Sequence, residues 1–343
     1  MATAALETGT IQPDYTVQCA GSVTIYGHLY HDWVFSQHRG HGAVDVHRAI
    51  RESCDVFFYT VGKLLGIEKI DFFATRMGLG ERTGIDLPGE AAGLIPSPAW
   101  VQRVFKHKWY AGETISVAIG QGAVSVTPLQ LAHTIGGITL GGVFPRPHLA
   151  FRDQLLALGA DPADKPATDF PLSEGTVAAV KSGMWGVVNE AGGTGAAARC
   201  PEVEIAGKTG TAQVVSEELQ ASAKNAGFNN NAWFVGYAPP DKPEIVVAAL
   251  VLRGGHSTVA VPIAREVIRT YFEKRRGPKT PPSQMETQVR VLSETRPTAP
   301  PAAPHSGFEQ VSASTLQPLN LSPLRPVEEL KSRSVEKKER ATN

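Results

Sequence analysis

Apolar residues recur with a helical period through most of the chain, then give way to runs with strand character. The opening "ATAALET" (Ala2 to Thr8) is a strong helix former that Gly9 stops. "VDVHRAI" and "DVFFYTVGKLLGI" read as two helices on either side of "RESC". "IEKIDFFATRMGLG" reads as another, closed by Gly78 or Gly80. "VTPLQLAHTIGGITLGG" places Thr127 at the N-cap and Pro128 at the first helical position. "SEGTVAAVKSGMWGVV" begins in the same way at Ser173. After these, "VEIAGKTGTAQVV", "NAWFVGYAP" and "EIVVAALVLRGG" are β-branched and aromatic, bounded by Gly and Pro, and predict strands. An amphipathic helix, "VPIAREVIRTYFEKR", follows them. Helices first, strands bunched late and one helix after them predict an α+β fold: an antiparallel sheet packed against helices, with a helical lobe.

Composition divides this pattern into two parts. Residues 1–275 supply the periodic segments and are expected to form one domain. Residues 276–343 are expected to be a disordered, Pro-rich and charged tail. Ten of the 25 prolines fall there, with few aromatics, which leaves too little apolar surface to offset the ordering entropy. The formal net charge of zero gives no nucleic-acid footprint. Three scattered cysteines are too few for a disulfide framework. No stretch approaches the ~18 apolar residues of a membrane span, so neither an anchor nor a signal peptide is expected within these residues.

Two short motifs carry chemistry. In "IAGKTGTAQ", Lys208-Thr209-Gly210-Thr211 falls on a predicted strand. The lysine supplies positive charge, the threonine hydroxyls can hold a carboxylate, and the glycine lets a substrate approach the backbone. A following N–H can point at a developing oxyanion. The plainer alternative is a turn-rich strand with a solvated lysine. In "ESCDVFFY", Ser53-x-Asp55 precedes a hydrophobic helix, and either residue could simply be its N-cap.

Set beside their flanks, these motifs resemble the transpeptidase domain of class B penicillin-binding proteins, in particular the elongation-type penicillin-binding protein 2 family. The matching text is "GHGAVDVHRAIRESCDVFFYTVGKLLGI", "GIDLPGE", "ISVAIGQGAVSVTPLQLAHTI", "GGTG", "AGKTGTAQVV" and "NAWFVGYAP", in collinear order over roughly Met1 to Arg275. The resemblance implies a penicillin-binding/serine β-lactamase-like transpeptidase fold. It implies D,D-transpeptidation of peptidoglycan stem peptides, covalent capture by β-lactams, and no required cofactor. It implies a site at the periplasmic face of the inner membrane, and full-length relatives paired with a membrane glycosyltransferase of the elongation machinery.

The family uses three blocks: S-x-x-K, S-x-N or S-x-D, and K-T-G. Carried over, Ser53 resembles the second serine, which moves a proton toward the leaving group. Asp55 stands where many relatives have Asn. Lys208 would hold the electrostatics of the relay, and Thr209 and Thr211 would bind the terminal carboxylate beside Gly210. The N–H of Thr211 would form half of the oxyanion hole. The first block, which supplies an activated serine nucleophile, has no match except "SVEK", Ser334 to Lys337, a charge-run coincidence in the tail. "MATAALETG" resembles the continuation of the helix that S-x-x-K opens. The expectation is therefore a chain cut just past its nucleophile and without turnover. Other readings are a non-catalytic binding or scaffold protein of the same fold, and a β-lactam sensor or β-lactamase relative.

Five of the ten histidines fall between His28 and His47, in a span that also holds Asp32 and is flanked by Cys19 and Cys54. Zinc favours thiolate and imidazole, often with a carboxylate. Cys19, Asp32, His41 and Cys54 are the expected ligands of a structural zinc, with His28 or His31 as replacements for Asp32. The alternative is a polar, Gly-rich loop with Cys54 buried as a small hydrophobe. "GGTG" (Gly192 to Gly195) lacks the strand-then-helix context of a phosphate cradle and is read as a loop, and "QHRGHG" as a turn.

Overall fold

The computed structural model describes residues 1–157, 159, 168–214 and 229–276. The tail expected over 276–343 lies outside them except for Arg276, which still belongs to the last helix.

The elements run α1 (Ala2–Glu7), β1 (Val17–Cys19), β2 (Ser22–Ile25), β3 (His28–His31), β4 (Gly42–Val44), α2 (Val46–Glu52), α3 (Asp55–Leu65) and α4 (Ile67–Arg76). They continue with α5 (Pro98–Phe105), α6 (Ala111–Ala118), α7 (Pro128–Thr139), β5 (Val143–Phe144), α8 (Arg152–Ala157), β6 (Thr168–Asp169) and α9 (Glu174–Asn189). The last are β7 (Ala206–Ala212), β8 (Asn231–Ala238), β9 (Ile245–Val251) and α10 (Ala260–Arg276). Among the described residues no helix is long and apolar enough to cross a membrane.

The sheet β7-β8-β9 is antiparallel throughout, with Lys208 opposite Val235 and Val235 opposite Ala248. It packs against α9 on one side of β7 and against α10 and α7 around β8 and β9. One core joins the sheet to the helices: Phe234, Tyr237, Ile205, Val187, Ile268 and Phe57 are all buried within it. The expected α+β arrangement is the one observed.

Helix starts follow their local chemistry. Thr127 accepts from the Gln130 N–H while Gln130 Oε1 accepts from the Thr127 N–H, a reciprocal capping box with Pro128 at the first position. Ser173 caps α9 by accepting from the Thr176 N–H, and it donates in turn to Glu7 of α1. At the end of α4, Gly78 takes φ +90°, so Gly78 rather than Gly80 closes it.

Two features escape the periodicity. The polar stretch before α2 folds into two small hairpin-like pairs, β1 with β4 and β2 with β3. Their strands of three or four residues are too short for alternation to register. α5 and α6 were hidden among Pro-, Gly- and Lys-rich text, and each is held by local caps, Ser97 accepting from the Trp100 N–H and Glu113 accepting from the Tyr110 N–H.

Close packing of α2 on α9 matters most for the site. A Cβ on Gly183 would stand 2.7 Å from Ile50 Cβ, so the helices meet where α9 has no side chain. That contact fixes α2, whose C-terminal end carries Ser53.

Candidate functional site

Ser53 is the C-cap of α2 and sits in the left-handed region at φ +56°, a conformation that costs a non-glycine residue about 1–2 kcal/mol. The turn is held nearby. Cys54 N–H donates to Ala49 O, the Trp33 indole donates to Glu52 O, and the Trp33 N–H donates to the Asp55 carboxylate at 3.0 Å. The N-cap of α3 is Cys54, and Asp55 is its first residue. Neither Ser53 nor Asp55 is therefore an N-cap, and both side chains are directed to other partners.

β7 brings the second motif to this turn. Lys208 Nζ donates to Ser53 Oγ at 2.8 Å and to Thr209 O at 3.0 Å, joining residues 155 positions apart. Burial lowers the Lys208 ammonium to about 8, against the opposing pull of Asp55. Burial, with the Asp32 charge, raises the Asp55 carboxyl to about 7. Side chains alternate along a strand, so Thr209 lies on the other face from Lys208. It is buried, with its hydroxyl 2.7 Å from that of Thr194. Gly210 leaves room for the Trp233 side chain, which a Cβ would approach to 3.2 Å. Thr211 is half-buried at the open edge of β7, and its carbonyl accepts from Gln121.

The sequence reading missed the groups that brace this cleft. Thr194, in the "GGTG" loop, donates its N–H to Arg51 O at 3.3 Å and so ties the Thr209 hydroxyl to the end of α2. Glu190 accepts from Arg51 at 2.6 Å and pairs with His47 Nε2 at 3.0 Å, two successive turns of α2. Arg48 and Arg51 also flank Glu52 and hold its carboxyl below the usual range despite its burial. The signal in the sequence was the spacing of His47 and Arg51, four apart and so on one face of the helix.

The cysteines and histidines meet beside the same turn. Cys19, Asp32, His41 and Cys54 offer ligand atoms that all lie within 4.8 Å of one another. Asp32 Oδ2 is 3.5 Å from Cys19 Sγ, 3.2 Å from Cys54 Sγ and 3.5 Å from His41 Nδ1, and Cys19 Sγ is 3.6 Å from His41 Nδ1. Zinc bonds of about 2.0–2.3 Å in a tetrahedron imply ligand–ligand edges of roughly 3.3–3.8 Å. The four distances given lie in or close to that range and the whole set within 4.8 Å, so these residues fit the ion with at most a small contraction. Its outer contacts are also in place, because Asp32 accepts from the N–H groups of Val34 and Val56. Burial, then the Asp32 charge, pushes the Cys54 thiol up. His28 and His31 do not join the cluster. They lie on the β2–β3 pair, where His31 stacks on Phe35 and His28 meets Tyr30 edge-on.

A late antiparallel sheet whose edge strand presents Lys-Thr-Gly to a Ser-x-Asp turn at a helix junction is the frame of the penicillin-recognising serine acyl-transferases. The chain belongs to the penicillin-binding protein transpeptidase domain family, whose model matches residues 1–269. Among curated relatives it is 36% identical over 300 residues to the peptidoglycan D,D-transpeptidase MrdA of Acinetobacter baumannii, covering 84% of this chain and 42% of that protein. It is 38% identical over 254 residues to the Haemophilus influenzae MrdA, covering 72% and 38%. The solved structure of Pseudomonas aeruginosa PBP2 in complex with WCK 5153 superposes with a TM-score of 0.69 at 34% identity, covering 79% of this chain and 58% of that one. Helicobacter pylori PBP2 in its complex with MreC gives 0.65 at 29% identity, covering 78% and 49%. The chain thus spans less than half the length of the curated relatives it matches.

Proposed function

We propose that the cleft between the Ser53 turn and β7 binds the D-alanyl-D-alanine ends of peptidoglycan stem peptides, and β-lactams that mimic them, in D,D-transpeptidation. The carrying observation is the 2.8 Å bond from Lys208 Nζ to Ser53 Oγ. When the stem-peptide carbonyl bonds to a serine nucleophile, a group residues 1–276 do not supply in an S-x-x-K pair, the peptide bond to the leaving D-alanine breaks and its amine must gain a proton. Ser53 Oγ–H gives that proton, and Lys208 Nζ replaces it, a transfer suited to an ammonium near 8. Lys208 also faces the substrate carboxylate electrostatically, and the Thr211 backbone lies at the open edge of β7 alongside it. Gly210 keeps this approach open. By the same reading the chain works at the periplasmic face of the inner membrane with a membrane glycosyltransferase.

No S-x-x-K occurs in residues 1–276, so these residues hold the substrate and proton-relay side of the site. A fluorescent penicillin should leave the 343-residue chain unlabelled, because no serine in residues 1–276 has a lysine at that spacing and Ser334–Lys337 falls in the charged tail, outside the transpeptidase match. Covalent labelling would overturn this assignment. An acetylated L-Lys-D-Ala-D-Ala peptide should still bind non-covalently, and Lys208→Met should weaken it about tenfold or more, the value of one charge-assisted hydrogen bond. Unchanged affinity in that variant would remove Lys208 from the cleft's chemistry.

The same lysine sets a pH signature. Its folded value, about 8, lies below the ordinary 10.5, so between these the unfolded chain holds a proton that the folded chain has lost. Stability contributed by Lys208 therefore rises with pH across that window. Denaturant midpoints at pH 8 and pH 10 should show this rise in the parent relative to Lys208→Met; parallel behaviour of the two would contradict it.

The reading includes a structural zinc held by Cys19, Asp32, His41 and Cys54. Bound there, the ion would supply positive charge and four fixed bonds to a stretch whose strands are only three or four residues long. Its effect on the site would be to anchor Cys54, the residue between Ser53 and Asp55.

A further inference from the structure

The open edge of β7 is already occupied. β8 pairs with the other edge, and residues two apart along a strand present their backbone groups to the same side. Thr209, Thr211 and position 213 therefore face the cleft. There the Gln121 side-chain amide donates to Thr211 O at 2.9 Å and accepts from the Gln213 N–H at 3.1 Å. Reversing the amide would set donor against donor and oxygen against oxygen, so the two bonds fix its orientation. One side chain thus supplies a donor and an acceptor to the strand edge, as a peptide unit of an added strand would.

Gln121 is placed to leave as readily as it arrives. Its backbone is fixed independently, with its N–H donating to Ser116 O at 3.0 Å just past the end of α6. Gly120 and Gly122 on either side take φ of +76° and +71°, and a Cβ at Gly120 would meet nothing within 4 Å. The side chain is half-exposed, so it can rotate into solvent without unpacking α6.

We infer that Gln121 is an internal stand-in for the substrate strand, a gate that pairs with Thr211 and Gln213 and that an extended peptide must displace. This rests on the reading of the cleft as a stem-peptide site. The gate satisfies two backbone groups that the empty edge would otherwise leave to water, and blunts an edge that could pair with another chain. It also subtracts its own hydrogen bonds from the affinity of any peptide that takes its place. Selectivity follows: a ligand that reaches only the Lys208 end of the cleft leaves Gln121 undisturbed, whereas one long enough to run along β7 must exchange with it.

The test is a titration of the full 343-residue chain with acetylated L-Lys-D-Ala-D-Ala, followed by calorimetry and by the amide NMR signals of Thr211 and Gln213. Gln121→Ala, which frees both backbone groups, should bind the tripeptide roughly threefold to tenfold more tightly than the parent, the worth of about one net hydrogen bond. Gln121→Met keeps the length of the side chain without its amide and should shift in the same direction. General damage to the α6 end would weaken binding, so tightening in both variants is specific to removal of a competitor. Equal or weaker binding in both variants overturns the gate and leaves the cleft reading standing. Absence of any peptide-induced shift at Thr211 and Gln213 in parent and variants alike overturns the cleft reading, and the gate with it.

Discussion

Free zinc at a thousandfold excess over its dissociation constant should stabilise the chain by about 4 kcal/mol, and a chelator should remove that stabilisation. For a domain of this size the shift in Tm is roughly 8–16 °C. The reason lies in what the four ligands do without an ion. Asp32 is only 2% exposed, and its charge faces two buried thiols, one of them pushed up by that same charge. A cation converts this mutual exclusion of charge into four bonds. Cys54→Ser should abolish the dependence on zinc, whereas Cys200→Ser, which changes a cysteine outside the cluster whose thiol donates to Glu202 at 3.1 Å, should retain it. A parent chain whose melting ignores both zinc and chelator would eliminate the metal. Because Cys54 separates Ser53 from Asp55, the peptide affinity of the cleft should fall with the zinc.

The second large effect is expected at Phe234. Its ring is fully buried behind β7 and fills space that three glycines leave open. A Cβ on Gly207 would stand 2.5 Å from its Cζ, one on Gly236 2.7 Å from its Cε1, and one on Gly195 3.3 Å from its Cε2. Phe234→Ala should cost about 3–5 kcal/mol of unfolding free energy, the usual loss for a buried aromatic ring. Gly207→Ala attacks the same contact from the other side. Its new methyl would also meet Val235 O at 2.7 Å, backbone that cannot swing away, so overpacking of about 1–3 kcal/mol is expected. Urea denaturation of both variants measures this, and a loss under 1 kcal/mol for Phe234→Ala would show that the ring is not a core member. The glycine before Lys208 in "AGKTG" thus has a packing role.

Much of this was legible along the chain because the responsible forces are local. Thr127 and Ser173 announce their helices through caps that depend on only three following residues. The late strands are long enough for their β-branched runs to be read, and Lys208 and Ser53 stand out by residue type. The cluster of Cys19, Asp32, His41 and Cys54 was legible from thiol, imidazole and carboxylate chemistry, with Asp32 already ahead of His28 and His31, whereas the reason those two rings stay apart appears only in the β2–β3 pair that aims them elsewhere. Glu190, Thr194 and Gln121 were not legible as site residues. Each acts on a backbone group or side chain far away in sequence, Gln121 on Thr211 across 90 positions. Such pairings exist only after α9 has closed on α2 and the end of α6 has reached the edge of β7. The helices α5 and α6 were missed for the opposite reason, since their caps are local but their apolar stripes are short.

The alternation along β7 has a consequence for how the family's sequences can change in length. Lys208 reaches Ser53 from one face, while Thr209 reaches Thr194 from the other. An inserted or deleted residue in the turn ahead of Ala206 can be taken up where it falls, leaving both partners in place. The same change within Ala206–Ala212 exchanges the two faces, turning an ammonium toward Thr194 and a hydroxyl toward Ser53. Tolerance of insertions and deletions should therefore drop abruptly at the first paired residue of the strand, a boundary set by parity.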